Sequence, residues 1–134
     1  MKATVIRESG HRHTVRIRNH ELTLDEPTDI GGTDEGPSPL ELLAASLAGC
    51  VAVTIEMYAA RKGWDLGRVE IGCDFTAPER GCPTKFELVY KLSDALTEEQ
   101  VERLTAIAST CPVHRTLEGE VMFLERVERV ALAA

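Results

Sequence analysis

The chain has 134 residues, a length that suits one domain with its own hydrophobic core. Hydrophobic residues make up 43% of the sequence and charged residues 28%, a globular balance that argues against intrinsic disorder. The formal net charge is −7 and the basic residues are scattered, so we expect no nucleic-acid partner.

The first residues and the hydropathy pattern predict where the protein resides. Residues 1–8 become charged too early to form the apolar centre of a signal peptide. The longest apolar run, residues 42–55, is shorter than the roughly 20 residues that cross a bilayer as a helix. We therefore expect a soluble, cytoplasmic protein with no membrane partner.

Three short strands and a long polar loop are predicted for the N-terminal part of the chain. Residues 2–8 and 12–18 alternate loosely and contain Val, Ile and Thr, which favours a strand pair joined by a short turn. Residues 21–24 predict a third strand. Residues 25–37 contain several glycines and show no periodicity, and loops of this length are often functional.

The clearest predicted element is a helix over residues 39–62. Ser38 is a good N-cap, Glu41 completes an S-x-x-E capping box, and Gly63 ends the pattern. Residues 42–55 are apolar on nearly every side, as in a helix that is buried all round. Because so small a domain can hardly enclose one helix, we expect a partner subunit to cover one face.

The second half of the chain predicts strands and one more helix. Thr97 and Gln100 form another capping box, and Pro112 disfavours helical geometry at Cys111, so the helix ends near Thr110. The predicted elements are strands at 69–75 and 86–92, a helix at 97–110, a short turn at 112–117 and a last strand at 120–130. This order indicates a single α+β domain over residues 1–134 with a mainly antiparallel sheet.

Four cysteines are the main candidates for chemistry: Cys50, Cys73, Cys82 and Cys111. Without a secretion signal a permanent disulfide framework is not expected, and each thiol is packed, catalytic or metal-bound. Cys50 lies in mid-helix among small apolar neighbours, where a cysteine is commonly a buried hydrophobe. Cys73 shares the inward register of its strand, which favours core packing, and Cys82 lies in a loop where exposure is expected.

Cys111 precedes a turn that a proline opens, at a position like the N-cap of a helix. Backbone N–H groups and the helix dipole at such a position favour a thiolate and lower the pKa of the thiol. Two other interpretations remain open. Cys111 merely joins two helices, or it pairs with His114 in a C-x-x-H zinc motif, although Cys73 and Cys82 are too widely spaced for the usual second ligand pair.

Two segments together resemble the OsmC/Ohr family. Residues 31–50, GGTDEGPSPLELLAASLAGC, are similar to the family's glycine loop and to the G-x-x-P-x-x-L-x-A-A helix that leads to a cysteine. Residues 111–117, CPVHRTL, are similar to the family's C-P-V motif. The order of elements matches along nearly the whole chain, so an OsmC-like fold is expected.

The resemblance implies a homodimer and a peroxidase. Members form intertwined dimers with two long helices packed at the centre. They are thiol-dependent hydroperoxide reductases that remove organic hydroperoxides, and some hydrogen peroxide, without metal or flavin. Cys50 is then the attacking sulfur and Cys111 the resolving sulfur, with a Cys50–Cys111 disulfide as the product. A dithiol restores both thiols, and in the Ohr branch a lipoylated protein supplies it.

Thiol chemistry is consistent with these roles. A thiolate attacks the O–O bond and becomes a sulfenic acid, a second thiol condenses with it to a disulfide, and an external dithiol reduces the disulfide. Leu47, Thr54 and Met57 neighbour Cys50 at helical spacing and are predicted to bind the substrate. Such an apolar pocket favours an organic hydroperoxide, but it disfavours a charged thiolate unless a cation is nearby.

The resemblance implies that this cation is an arginine from an N-terminal strand. Three arginines share one strand face: Arg12, Arg16 and Arg18. Arg12 falls nearest the family position. Family peroxidases also carry a glutamate at the helix start that orients the arginine, but here Leu40 occupies that place. Glu41 lies about 13 Å along the helix axis from Cys50, so capping is its expected role.

Two alternatives without catalysis remain. One is an OsmC-like protein that binds a small apolar ligand in a pocket at the dimer interface, which the leucine at position 40 favours. The other is a thiol redox sensor. Tight ligand retention without peroxide turnover would indicate the first.

Overall fold

The computed structural model describes residues 1–131. Its N-terminal part is a three-stranded antiparallel sheet in the order β1–β2–β3, and the three predicted strands are confirmed. They are β1 (Thr4–Ser9), β2 (Arg12–Ile17) and β3 (His20–Leu24). Gly10 has a φ of 54° in the first turn, which glycine adopts without strain.

The long helix α1 spans Pro39–Lys62, as predicted. Ser38 Oγ accepts the N–H of Glu41 at 3.2 Å, and Glu41 Oε1 accepts the N–H of Ser38 at 3.0 Å, so the capping box is confirmed. The whole helix of 24 residues, unlike its 42–55 segment, has the length and hydropathy of a membrane span. A core helix of a soluble protein has the same properties, so this resemblance is weak support for a membrane location.

α1 packs against a second sheet and two further helices. β4 (Glu70–Thr76) and β5 (Lys85–Lys91) pair antiparallel with alternate residues half-buried, as predicted. α2 (Glu98–Ala108) begins at the Thr97 capping box, and α3 (Pro112–Glu118) is a short helix where a turn was predicted. The α+β prediction is confirmed, with two antiparallel sheets in place of one.

The core lies where the three helices meet over the β4–β5 sheet. The buried side chains of α1 form one stripe at helical spacing: Ala44, Leu47, Val51, Ile55, Tyr58 and Ala59. The opposite face of α1 is open, since Val53 and Met57 are 52% and 61% exposed. The single chain therefore covers only one side of α1, and the expected cover of the other face by a partner subunit stays a prediction.

The prediction of a last strand over residues 120–130 is wrong. Residues 120–131 form no regular secondary structure, and they are exposed. A strand needs a neighbouring strand to pair its N–H and C=O groups, and neither sheet in the described chain includes this segment. Its large apolar side chains are consequently exposed: Val121, Met122, Phe123, Leu124, Val127 and Val130.

The N-terminal sheet is nearly separate from the rest of the fold. Strands β1 to β3 make at most marginal contact with the helices or with the β4–β5 sheet. Val15 is the one buried side chain of these strands, and four other apolar residues are more than a third exposed: Val5, Ile6, Ile17 and Leu22. Within the described chain, apolar surface thus stays uncovered on this sheet, on α1 and on the C-terminal segment.

Candidate functional site

Cys50 and Cys111 are far apart in the sequence and in contact in the fold. Cys50 lies on α1, Cys111 is the N-cap of α3, and these two helices pack against each other. Cys50 packs against the buried cluster that includes Cys111 and is close enough to raise the pKa of the Cys111 thiol, and neither sulfur is in a disulfide. Cys111 is completely buried, whereas Cys50 is half-buried. The fold therefore brings together the two sulfurs named from separate motifs, with Cys50 the more accessible.

Burial keeps the Cys111 thiol in its neutral form. Loss of solvent is the largest effect on its pKa, and the hydrogen bond and charge of Cys50 act in the same upward direction. The backbone N–H of His114 donates to Cys111 Sγ at 3.2 Å and favours the thiolate, as expected at an N-cap, but it is outweighed. The pKa of Cys111 is therefore raised, and the prediction of a lowered pKa is wrong.

An apolar cavity of about 560 Å³ lies close to this cysteine pair, although neither Cys50 nor Cys111 is part of its wall. Leu47, one turn before Cys50, forms part of its wall, and so does His114, whose backbone contacts Cys111. The volume lies within the range typical of small-molecule sites. The wall is built from α1, the β4–β5 sheet and α3: Leu43, Leu47, Phe75, Thr84, Phe86, Leu88, His114, Leu117 and Glu118.

The predicted substrate-binding residues fall in two places. Leu47 lines the cavity. Thr54 is half-buried and Met57 is largely exposed, and both lie beyond Cys50 on α1, outside the cavity wall. Their role in binding stays a prediction. Phe75 and Phe86 also line the cavity and were not predicted to do so, because alternation marks the inward face of a strand without indicating which helix covers it.

Arg12 lies in the other part of the fold. It begins β2, and its Nη1 atom is 3.4 Å from Glu35 Oε1. Its Nε atom is shielded from solvent and has no hydrogen-bond acceptor among residues 1–131. Because β2 and α1 make at most marginal contact, Arg12 is not brought to the Cys50 of its own chain. A buried donor without a partner is costly, so an acceptor from outside the chain would stabilise this arrangement.

A buried carboxylate organises the loop that carries Glu35. Asp25 is completely buried and accepts backbone N–H groups of Glu26, Thr33 and Glu35 at 2.7–3.4 Å. The Thr33 hydroxyl lies 2.6 Å from Asp25 Oδ2 and 2.8 Å from Glu35 Oε2, so it links the two carboxylates. Glu35 is thereby held against Arg12. The sequence did contain a signal for this role of Asp25. An Asp followed by turn residues often accepts hydrogen bonds from nearby backbone N–H groups through its side chain.

Two glycines let this loop close tightly. A β carbon on Gly32 would overlap the carbonyl group of Glu26, and one on Gly36 would overlap the carbonyl group of Thr23. Any larger residue at either position would push the loop away from these neighbours.

The loop should make the stability of the protein sensitive to acid. The Thr33 hydroxyl, assisted by backbone N–H groups and opposed by burial, lowers the pKa of Asp25 to about 2 from an ordinary 3.8. Between these values the unfolded chain binds more protons, so the stabilisation is present above about pH 4 and is lost as the pH falls towards 2. We expect the urea midpoint of unfolding to fall across this window.

Asp25→Asn should lower the urea midpoint at neutral pH and flatten its dependence on acid, because no proton uptake remains at this site. Asp29→Asn, at an exposed carboxyl of the same loop, is the matched control and should behave as the wild type. Equal acid sensitivity of Asp25→Asn and the wild type would contradict the assignment.

Comparison with known proteins identifies the fold family. The profile of the OsmC-like protein family matches residues 32–124, more than two thirds of the chain, including both contacting cysteines. This chain belongs to the OsmC-like family. The resemblance noted from the two motifs is thereby confirmed. No curated protein matches the chain at a significant level.

Solved OsmC-like structures share the architecture. A candidate osmotic stress induced and detoxification response protein from Psychrobacter arcticus 273-4 is 23% identical, with a TM-score of 0.75 over 87% of each chain. An OsmC-like protein from Mycoplasma pneumoniae is 20% identical, with a TM-score of 0.72 over 88% of this chain and 86% of that one. An organic hydroperoxide resistance protein OsmC from Legionella pneumophila is 23% identical, with a TM-score of 0.61 over 89% and 90%. At these identities the likeness establishes the OsmC-like fold.

The start of α1 in the OsmC-like chain holds the two residues compared above with the family glutamate. Leu40, which the resemblance predicts to replace that glutamate, is 52% exposed. Glu41 is engaged in the cap, where the backbone N–H and hydroxyl of Ser38 lower the pKa of its carboxyl. The carboxylate that does pair with Arg12 is Glu35, which comes from the preceding loop.

The remaining cysteines of the OsmC-like chain lie as predicted. Cys73 packs half-buried against the core, where burial raises the pKa of its thiol, and Cys82 is exposed in the β4–β5 loop. In the part of the chain that the structure describes, no three His, Cys, Asp or Glu side chains group as metal ligands. The Cys111–His114 pair therefore has no third ligand there.

Proposed function

We propose that this protein is a cysteine-based peroxidase that reduces organic hydroperoxides in the cytoplasm. The observation that carries the proposal is the proximity of the half-buried thiol of Cys50 to the buried thiol of Cys111, with an apolar cavity of about 560 Å³ whose wall includes Leu47, one helical turn before Cys50. Membership of the OsmC-like family supports a peroxide-related role. The relative from Legionella pneumophila, an organic hydroperoxide resistance protein, supports the same substrate class.

The proposed cycle has three steps. The Cys50 thiolate attacks the terminal oxygen of ROOH: an S–O bond forms, the O–O bond breaks, sulfur becomes a sulfenic acid, and the alkoxide RO⁻ leaves and takes up a proton to become ROH. The Cys111 thiol attacks that sulfur, an S–S bond forms, and water leaves. A dithiol, such as the lipoyl group of a partner protein, then reduces the disulfide by exchange.

The environment of Cys111 suits a resolving thiol. With no exposed surface and a raised pKa, Cys111 is a poor competitor for peroxide. Its contact with Cys50 makes the second step intramolecular, which avoids the entropy cost of an encounter. Rapid condensation would also protect the sulfenic acid from further oxidation.

The proposed active form is a homodimer in which Arg12 acts on Cys50 of the partner subunit. A second copy of the chain would cover the apolar surface that stays open on the N-terminal sheet, on α1 and on residues 120–131. Arg12 has a buried Nε without an acceptor among residues 1–131, and its strand makes at most marginal contact with the helix that carries Cys50 of the same chain. A guanidinium beside the attacking sulfur would stabilise its charged form.

Sedimentation equilibrium tests the dimer. We expect a dimer at micromolar concentration, and a shift towards monomer in Val53→Asp, which places a charge on the open face of α1. A wild type that is monomeric at every concentration would contradict the proposed assembly.

The central experiment measures consumption of cumene hydroperoxide by the purified protein with dihydrolipoamide as reductant. Treatment with one equivalent of the hydroperoxide, followed by peptide mass mapping, should yield a Cys50–Cys111 disulfide. Absence of turnover, with both thiols still reduced, would refute the proposed function.

Arg12→Ala should lower kcat/KM for cumene hydroperoxide by roughly 10²-fold, the typical effect of removing one preorganised charge-stabilising donor. Glu35→Gln should cause a smaller loss, because Arg12 would be present but no longer held by its carboxylate. Arg16→Ala is the matched control, since Arg16 lies on the same strand and pairs with Glu21 at 2.8 Å. An unchanged rate in Arg12→Ala would exclude Arg12 from the reaction.

A second candidate function is the retention of a small apolar ligand without catalysis. The leucine at position 40 favours it, because the family glutamate that orients the arginine is missing there. The same peroxide assay separates the two functions, since a ligand carrier would bind an apolar probe in the cavity and leave hydroperoxide unchanged.

A further inference from the structure

One titratable side chain on the cavity wall has no part in the cycle described above. His114 lies in the first turn of α3, and its backbone N–H contacts Cys111 Sγ at 3.2 Å. Its side chain lines the same cavity as Leu47, which precedes Cys50 by one helical turn. His114 therefore contacts Cys111 through its backbone and also borders the space in which an apolar substrate would lie.

The two nitrogens of this ring have different surroundings. Nδ1 is shielded from solvent, makes no hydrogen bond within residues 1–131, and lies 3.3 Å from Glu118 Oε1. The side chain is nevertheless 27% exposed, so atoms of the side chain other than Nδ1 account for the exposed part. The Glu118 carboxylate beside Nδ1 favours one orientation of the ring.

The rest of the cavity wall offers little to a developing negative charge. Apart from His114 and Glu118, the only polar side chain in the wall is that of Thr84. Cleavage of the O–O bond of an alkyl hydroperoxide produces an alkoxide, a strong base that is poorly stabilised in apolar surroundings. A proton donor at this point would remove the charge as it forms.

We propose that His114 is a catalytic acid that protonates the alkoxide leaving group when Cys50 attacks the hydroperoxide. This inference rests on the proposed peroxidase function. As the S–O bond forms and the O–O bond breaks, the two bonding electrons pass to the alkoxide oxygen. The imidazolium Nε2–H donates its proton to that oxygen, which leaves ROH and neutral His114. The imidazole regains a proton from solvent before the next turnover, and Glu118 is the positioning residue for the ring.

The test compares two oxidants that differ in the basicity of their leaving groups. Cumene hydroperoxide releases an alkoxide that needs a proton, whereas peracetic acid releases acetate, a weak base that does not. The rate of sulfenic acid formation is measured in single turnover with each oxidant. His114→Gln should lose roughly 10²-fold with cumene hydroperoxide, in the range of general acid catalysis, and nearly nothing with peracetic acid.

Three further variants serve as a second test of His114, a test of Glu118 and a control. His114→Asn is made in parallel, so that a folding failure of one variant does not end the experiment. Glu118→Gln should lower the rate of sulfenic acid formation by a smaller factor. The loss should again occur with cumene hydroperoxide and not with peracetic acid. His20→Gln, at an exposed histidine of β3, is the matched control and should react as the wild type with both oxidants.

The outcomes are distinguishable. Equal losses with both oxidants in the two His114 variants, or no loss with either, would overturn the catalytic acid and leave the peroxidase intact. A wild type inert towards both oxidants would overturn the peroxidase itself, and the role of His114 with it. A loss confined to cumene hydroperoxide supports the inference.

Discussion

Replacing Cys50 by serine should abolish the turnover of cumene hydroperoxide, with a loss of at least about 10³-fold, since a serine hydroxyl is not ionised at neutral pH and is a weak nucleophile. The stability of the fold should change little, because Cys50 is only half-buried and serine is of similar size. The measurement is stopped-flow consumption of hydroperoxide together with the urea midpoint of each variant.

Two other cysteine variants complete this series. Cys111→Ser should still consume the first equivalent of hydroperoxide, but sulfenic acid should then accumulate at Cys50 and oxidise further, because no neighbouring thiol resolves it. Cys82→Ser, at the exposed loop cysteine, should be indistinguishable from the wild type. Full activity in Cys50→Ser would show that another sulfur attacks the hydroperoxide and would contradict the proposed cycle.

Gly32→Ala should have the largest effect on stability and should also lower activity. The added methyl group overlaps the carbonyl group of Glu26, so the loop must move, at a cost of about 3 kcal/mol, the upper end of the usual range for overpacking. The movement would separate Thr33 and Glu35 from Asp25, and Arg12 would lose its carboxylate partner. Urea unfolding and the peroxide assay measure the two effects on one sample.

Gly72→Ala is the matched control for this substitution. Gly72 lies in β4, and a β carbon built there has no heavy atom within 4 Å. Its replacement should leave stability unchanged or slightly increased, since alanine loses less conformational entropy on folding. Similar behaviour of the two variants would show that the close approach of Gly32 to Glu26 is unimportant.

Local signals predicted the helices and most strands well. Ser38 with Glu41 and Thr97 with Gln100 mark two helix starts through short-range hydrogen bonds that depend on neighbours in the sequence alone. The pairing of β4 with β5 followed from alternation on both strands. The helix starts could be predicted because each capping box joins residues only three apart in the sequence, and the two strands because each carries its own alternation.

Predictions that depended on distant parts of the chain were less successful. The strand over 120–130 has no partner within the described chain, and a side-chain pattern cannot supply one. The shift in the pKa of Cys111 was predicted in the wrong direction. The sequence shows that Cys111 starts a helix, which lowers the pKa, but it does not show that the thiol is completely buried, which raises it. The contact of Cys111 with Cys50 was expected from resemblance to a family, and spacing alone would not have indicated it.

The arginine and the buried aspartate illustrate the same limit within one loop. Arg12 was selected by its place in a family comparison, but its partner, Glu35, was not anticipated, because the two residues meet only once Asp25 has folded the loop. From the sequence, Asp25 was predicted only to begin the polar loop. Its complete burial depends on three N–H groups that converge from later positions in the chain.

The complete burial of Cys111 also makes it an internal reporter of local opening. A thiol reagent can reach Cys82 directly, but it can reach Cys111 only when α3 detaches from α1. The ratio of the two labelling rates therefore measures the free energy of that detachment under native conditions, without denaturant. Any molecule that occupies the neighbouring cavity and clamps α3 should slow the labelling of Cys111 alone, which would allow ligands to be ranked by mass spectrometry.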